Sequence, residues 1–135
     1  MDSSQGKFSG ILGWFGTAVG LLVLDLLWLG TVARPLYNKA NGHLLRPEAD
    51  RLAALLFYLF YVSIVWFWAV RGQTSSVAAQ RGAALGFVSY GVYELTNWAV
   101  LRDWPGWLVP LDWGWGVVLT TVAAWCGAKL SRSFA

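Results

Sequence analysis

The chain has 135 residues, of which 57% are hydrophobic, 16% aromatic and only 13% charged, about half the charged share of an ordinary soluble domain. That balance excludes an ordinary water-soluble domain, and the length admits one domain without a separate soluble catalytic unit. The formal charge is +3, and the basic residues flank apolar runs instead of forming a phosphate-tracking cluster, which argues against a nucleic-acid partner.

Residues 1–10 read as a polar N-terminal tail. Residues 11–33 are apolar except for Asp25 and at 1.5 Å per residue reach about 35 Å, enough for a hydrocarbon core of about 30 Å. Lys7 before this run and Thr31-Val32-Ala33 at its end resemble a cleavable signal, but the run is too long and contains an acid. Arg34-Pro35 is expected to break the first helix. Residues 34–51 then form the longest connection, with Leu36, Tyr37, Leu44 and Leu45 laid in the interface. Arg46-Pro47 precedes the second span, 52–70, which is charge-free and closes on Trp66, Phe67 and Trp68, suited to the headgroup level. A polar link, 71–81, leads to the third span, 82–101, which carries Glu94 and Asn97. Pro105 and Pro110 mark a tight turn into the fourth span, 111–128, which opens at Asp112, and 129–135 read as a polar C-terminal tail. The expected fold is an all-α integral membrane protein, one four-helix antiparallel bundle across 11–128. Orientation is not decided: Lys7, Arg71, Arg81, Lys129 and Arg132 on one side balance Arg34, Lys39, Arg46, Arg51 and Arg102 on the other.

Depth can be read from distance to the helix ends. Asp25 lies eight residues before Ala33 and Glu94 eight before Arg102, so both are expected about 12 Å below one surface. Tyr58 and Tyr61 fall at a similar depth, Asn97 is shallower and Asp112 lies at the rim. An ionisable group at mid-bilayer costs about 2.5 to 3.5 kcal/mol on insertion scales, so such groups face a bundle interior or a wet cavity. Tyr90, Glu94 and Asn97 share one helix face by i, i+4, i+7 spacing, with Tyr93 four residues before Asn97. Asp25 with Trp28 and Asp112 with Trp115 repeat an Asp-x-x-Trp spacing, which allows an indole N–H near a carboxylate in each helix. Asp25 and Glu94 are thus candidate catalytic residues. The candidate ligand-binding set is Asp25, Trp28, Tyr37, Tyr58, Tyr61, Tyr90, Tyr93, Glu94, Asn97, Asp112 and Trp115. The competing reading makes the buried acids and Asn97 interhelical hydrogen-bond partners that fix the packing.

Other signals are weaker. The single cysteine and single histidine, Cys126 and His43, leave no internal disulfide and no Cys/His zinc set within one chain, so no metal and no cofactor are expected. His43 reads as a solvated loop residue or a proton carrier at the cavity mouth. Gly16-x-x-x-Gly20 and Gly82-x-x-x-Gly86 permit close helix approach, within the chain or in a dimer.

Six strings, Leu-Asp-Leu-Leu-Trp-Leu-Gly (24–30), Arg-Pro-Leu-Tyr (34–37), Gly-His-Leu-Leu (42–45), Leu-Phe-Tyr-Leu-Phe-Tyr-Val (56–62), Tyr-Glu-Leu-Thr-Asn (93–97) and Asp-Trp-Gly-Trp-Gly (112–116), together resemble the small predicted bacterial membrane proteins of domain-of-unknown-function family 2177. The resemblance runs from about residue 15 to 128. It departs at Glu94, where the family pattern carries Asp, which lengthens the acid by one methylene. It implies a multi-pass protein of the bacterial inner membrane, with no activity attached.

Several functions fit. The composition best suits a membrane-embedded protein that binds a lipid or hydrophobic small molecule in a one-sided polar, aromatic-lined cavity. An enzyme acting on a membrane-embedded substrate through Asp25 and Glu94 as acid and base is the second reading, without a Ser or Cys nucleophile motif to support it. A proton-coupled transporter, needing a homodimer to complete a pathway, and an accessory subunit of a larger membrane complex are the others.

Overall fold

A computed structural model describes residues 3–44 and 47–135, so the expectations for Leu45 and Arg46 lie outside the described residues. Every element is helical: α1 Ser3–Trp28, a π turn Leu29–Ala33, α2 Arg34–Asn41, α3 Arg51–Val65, a second π turn Trp66–Val70, α4 Ser75–Val100 and α5 Leu108–Ser133. Among the described residues three runs, Ser4–Lys39, Arg51–Val70 and Leu108–Ser133, are long and apolar enough to cross a membrane. The fourth, α4, equals α5 in length at 26 residues; its glycines, serines and Glu94 dilute its apolar content. The chain is a four-helix antiparallel bundle.

The helices overrun the apolar stretches. Thr74 caps α4 by accepting the Val77 N–H at 3.3 Å, so a helix starts in the polar link well before Gly82; an N-cap needs a hydroxyl, not an apolar run. Pro110 sits in the first turn of α5, where its missing N–H is no loss. The largest correction is at Pro35, which does not end the first helix. A proline ring clashes with the carbonyl four residues earlier and removes one bond from the ladder. Here the turn just before it widens, with the Arg34 N–H reaching back to the Leu29 carbonyl, and the helix continues to Asn41. Absorbing a local misfit in one wide turn is the usual form a π turn takes.

α5 is the central helix and packs along both α1 and α4. It buries Leu108, Asp112, Gly116, Leu119, Thr120, Ala123, Ala124, Gly127 and Ala128. Small residues set the distance. A Cβ added to Gly127 would lie 2.0 Å from Thr17 Oγ1 and 2.8 Å from the Gly13 carbonyl. One added to Gly86 would lie 2.6 Å from the Gly116 carbonyl. The Gly16 and Gly82 spacings are therefore used inside the chain, against α5, where backbones approach closely enough for dispersion to hold helices together without a hydrophobic effect.

α3 behaves differently along its length. Tyr61, Val62 and Val65 are buried in the core with Leu21, Leu119 and Ala124, whereas Leu52, Leu55, Leu56, Phe57, Leu59 and Phe60 are exposed. Its first half thus stands off from the bundle at the end where the acids lie.

Candidate functional site

The acids and aromatics meet in two groups. In the first, the Tyr37 hydroxyl donates to Asp112 Oδ1, and the Trp104 indole N–H donates to Glu94 Oε2 at 3.0 Å. The Glu94 and Asp112 carboxyls stand within hydrogen-bonding reach of one another. Glu94 is fully buried and Asp112 is 5% exposed. Among the described residues no N–H or hydroxyl donates to Glu94 Oε1. Two carboxyl groups bond to each other only through a proton, so this contact is a place where one proton can be held between two acids.

In the second group, the Tyr58 hydroxyl donates to Asp25 Oδ2 and ties α3 to α1. Helix register keeps the two groups apart. Gly16 lies against Gly127 and Trp28 against Trp115, while Gly82 lies against Thr120 and Gly91 against Trp113. Asp25 therefore falls opposite the region of Val118, and Glu94 opposite that of Pro110, an axial offset of roughly 12 Å at the helical rise. The expectation of one shared level is corrected: it took Ala33 as the end of the first helix, and the helix continues for two further turns. The acid that Glu94 meets is Asp112.

The remaining candidates distribute around these groups. Trp28 and Trp115 stack with ring centroids 4.5 Å apart and planes within 5°. Both indole N–H groups are buried and find no acceptor among the described residues, so the repeated Asp-x-x-Trp spacing brings two rings together and leaves neither indole bonded to a carboxylate of those residues. Tyr61 shares a hydrogen bond of 2.6 Å with Thr120, and its ring meets Tyr90 edge-on at 6.3 Å. Tyr90 lies over Gly116, where a Cβ would be 2.0 Å from Tyr90 Cγ. Tyr93 is 52% exposed and meets Trp104 edge-on at 5.9 Å; Asn97 is half-buried one turn further along.

Two structural features escaped the sequence reading. Trp104 sits in a connection, where tryptophan ordinarily signals an interfacial belt, and only tertiary structure turns its N–H onto Glu94. An open groove of about 700 Å³ runs past Leu26, Gly30, Arg34, Tyr37, Asn38 and Pro47. Of the candidate residues only Tyr37 lines it, so Tyr37 is the wall between the groove and the carboxyl pair. At the same end His43 Nε2 and Asp103 Oδ2 approach to 3.8 Å across two connections; both are largely exposed, and such a contact contributes little.

A bundle of apolar helices with acids buried between them is an integral membrane protein. The chain matches the family described as predicted membrane protein (DUF2177) over residues 10–129, and it belongs to that family. No curated protein and no solved structure gives a significant match.

Proposed function

We propose that the polar half of the bundle binds a membrane-resident small molecule or lipid bearing a hydrogen-bond donor, with Glu94 and Asp112 as the accepting groups and Tyr37 as the cover between them and the groove. The observation that carries this reading is Glu94 Oε1, an acceptor in a fully buried side chain to which no N–H or hydroxyl of the described residues donates, in an apolar setting where an unmet polar atom costs about 1 to 3 kcal/mol. A hydroxyl or amine from a ligand would meet it. Arg34 and Asn38 on the groove wall suit a polar head, and Leu26 and Leu29 suit an apolar body. The protein would sit as a multi-pass component of the bacterial inner membrane.

Acid/base chemistry on such a molecule is the second reading, favoured by the contact between Glu94 and Asp112, which can hold and release one proton. Asp25, bonded by Tyr58, would then serve position more than chemistry.

The test is compositional analysis of lipids and small amphiphiles retained by the protein in native-membrane nanodiscs. Wild-type protein is expected to enrich at least one species over the bulk membrane, and Glu94→Gln and Asp112→Asn to lose it while keeping helix content. Profiles equal to the bulk membrane in all three proteins would end the binding reading. Conversion of the retained species by wild-type protein, absent in Glu94→Gln, would establish the second.

A further inference from the structure

The opposite end of the bundle carries a groove that the polar half does not explain. It measures about 760 Å³ and opens between the start of α1, the turn after α3 and the end of α5. Lys7, Arg71 and Arg132 line it, one from each of these segments, and among the described residues no Asp or Glu side chain does. Among the described residues none of the three cations pairs with a carboxylate. The floor is Ser9 and Ser131, hydrogen-bonded to each other at 2.8 Å, which fixes the ends of α1 and α5 together. Gly72, at φ 71°, makes the reversal that places Arg71 beside the groove, and the Arg71 guanidinium lies over the Trp66 ring at 5.9 Å. Ile11 and Trp66 add apolar lining, and Phe8 and Phe134, from the same helix ends, meet edge-on at 6.5 Å.

Three exposed cations lining one groove attract an anion together more strongly than any one of them alone. The place is the level where bilayer headgroups lie, marked by Trp66 and Trp68 at the close of the second span. Basic pockets between membrane helices are suited to phosphate headgroups, with roughly 1 kcal/mol of attraction per cation near an anionic surface. An apolar flank at Ile11 fits an acyl chain running down from such a headgroup. We propose that this groove is a binding site for the phosphate headgroup of an anionic phospholipid, held by Lys7, Arg71 and Arg132. It is separate from the carboxyl-containing half and does not depend on what binds there.

Native mass spectrometry of the detergent-solubilised full chain, titrated with phosphatidylglycerol and with phosphatidylcholine of the same acyl chains, tests the site. Wild-type protein should retain phosphatidylglycerol at least fivefold more strongly than phosphatidylcholine. The triple variant Lys7→Gln, Arg71→Gln, Arg132→Gln should bring that ratio to about 1, and the opposite-end control Lys39→Gln, Arg51→Gln, Arg102→Gln should leave it unchanged. If the triple variant loses helix content, the three single variants replace it, each expected to lower the ratio at least twofold. A wild-type ratio near 1, variants that keep the preference, or a control that loses it equally would overturn the proposal. So would release of the lipid by millimolar inorganic phosphate, which would assign the groove to a free anion.

Discussion

Around Gly16, Gly82 and Gly127 the helices touch backbone to side chain with nothing larger between them, whereas around Asp25, Glu94 and Asp112 rings and carboxyl groups stand between them. The same antiparallel helices build both halves. In the first, small residues let dispersion act at short range, and specificity comes from the absence of side chains. In the second, α3 stands off, and the helices are joined by individual hydrogen bonds: Tyr58 to Asp25, Tyr37 to Asp112, Trp104 to Glu94. One half is fixed by shape and the other by a few replaceable contacts, so the halves should respond differently to substitution.

The largest effect is expected from filling the packed half. Gly127→Val would drive a Cβ into Thr17 and the Gly13 carbonyl, and overpacking of this kind costs about 1 to 3 kcal/mol or more. Unfolding in mixed detergent micelles should show a loss at the upper end of that range; a loss below about 0.5 kcal/mol would mean that α1 and α5 separate easily and the contrast fails. In the polar half, Tyr37→Phe removes one hydroxyl from Asp112, and a hydrogen bond to a charged or charge-sharing group is worth about 1.5 to 3 kcal/mol. The same unfolding assay should place this variant below Gly127→Val, near 1.5 kcal/mol.

Glu94→Gln sharpens the picture further. The amide keeps an acceptor for Trp104 and offers a donor toward Asp112, so stability should change by less than about 1 kcal/mol, whereas Glu94→Leu strands the Trp104 N–H and should cost about 1 to 3 kcal/mol. Equal losses for the two would show that the carboxyl contact with Asp112 is itself structural. The smallest effect is expected on the exposed half of α3, where Phe60→Ala, at a side chain 67% exposed, should stay within about 0.5 kcal/mol. A larger change there would show that α3 packs more closely in a bilayer than it stands here.

The all-helical membrane fold was legible because apolar length is a direct physical requirement of a bilayer. Register was not legible. The depth of Asp25 depended on where the first helix ends, and Pro35 is a residue that normally marks an end; nothing local announces that a widened turn will carry the chain past it. Glu94 and Asp112 were recognisable as buried acids, but their mutual contact depends on how α4 slides along α5, which Gly86 and Gly116 set through backbone distance. The Asp-x-x-Trp spacing points to the N–H groups of Trp28 and Trp115, while in the structure their flat faces stack.

The π turn at Leu29–Ala33 also sets the phase of everything beyond it. Such a turn holds one residue more than an α turn, which rotates the following helix by about 100°. In an uninterrupted α-helix, the face that carries Asp25 would return three turns later at position 36, a leucine. The added residue brings Tyr37 to that face instead, and its phenol reaches Asp112. A chain of this kind with one residue fewer between Trp28 and Pro35 would lose the widened turn and would need its tyrosine one position earlier to keep the same face.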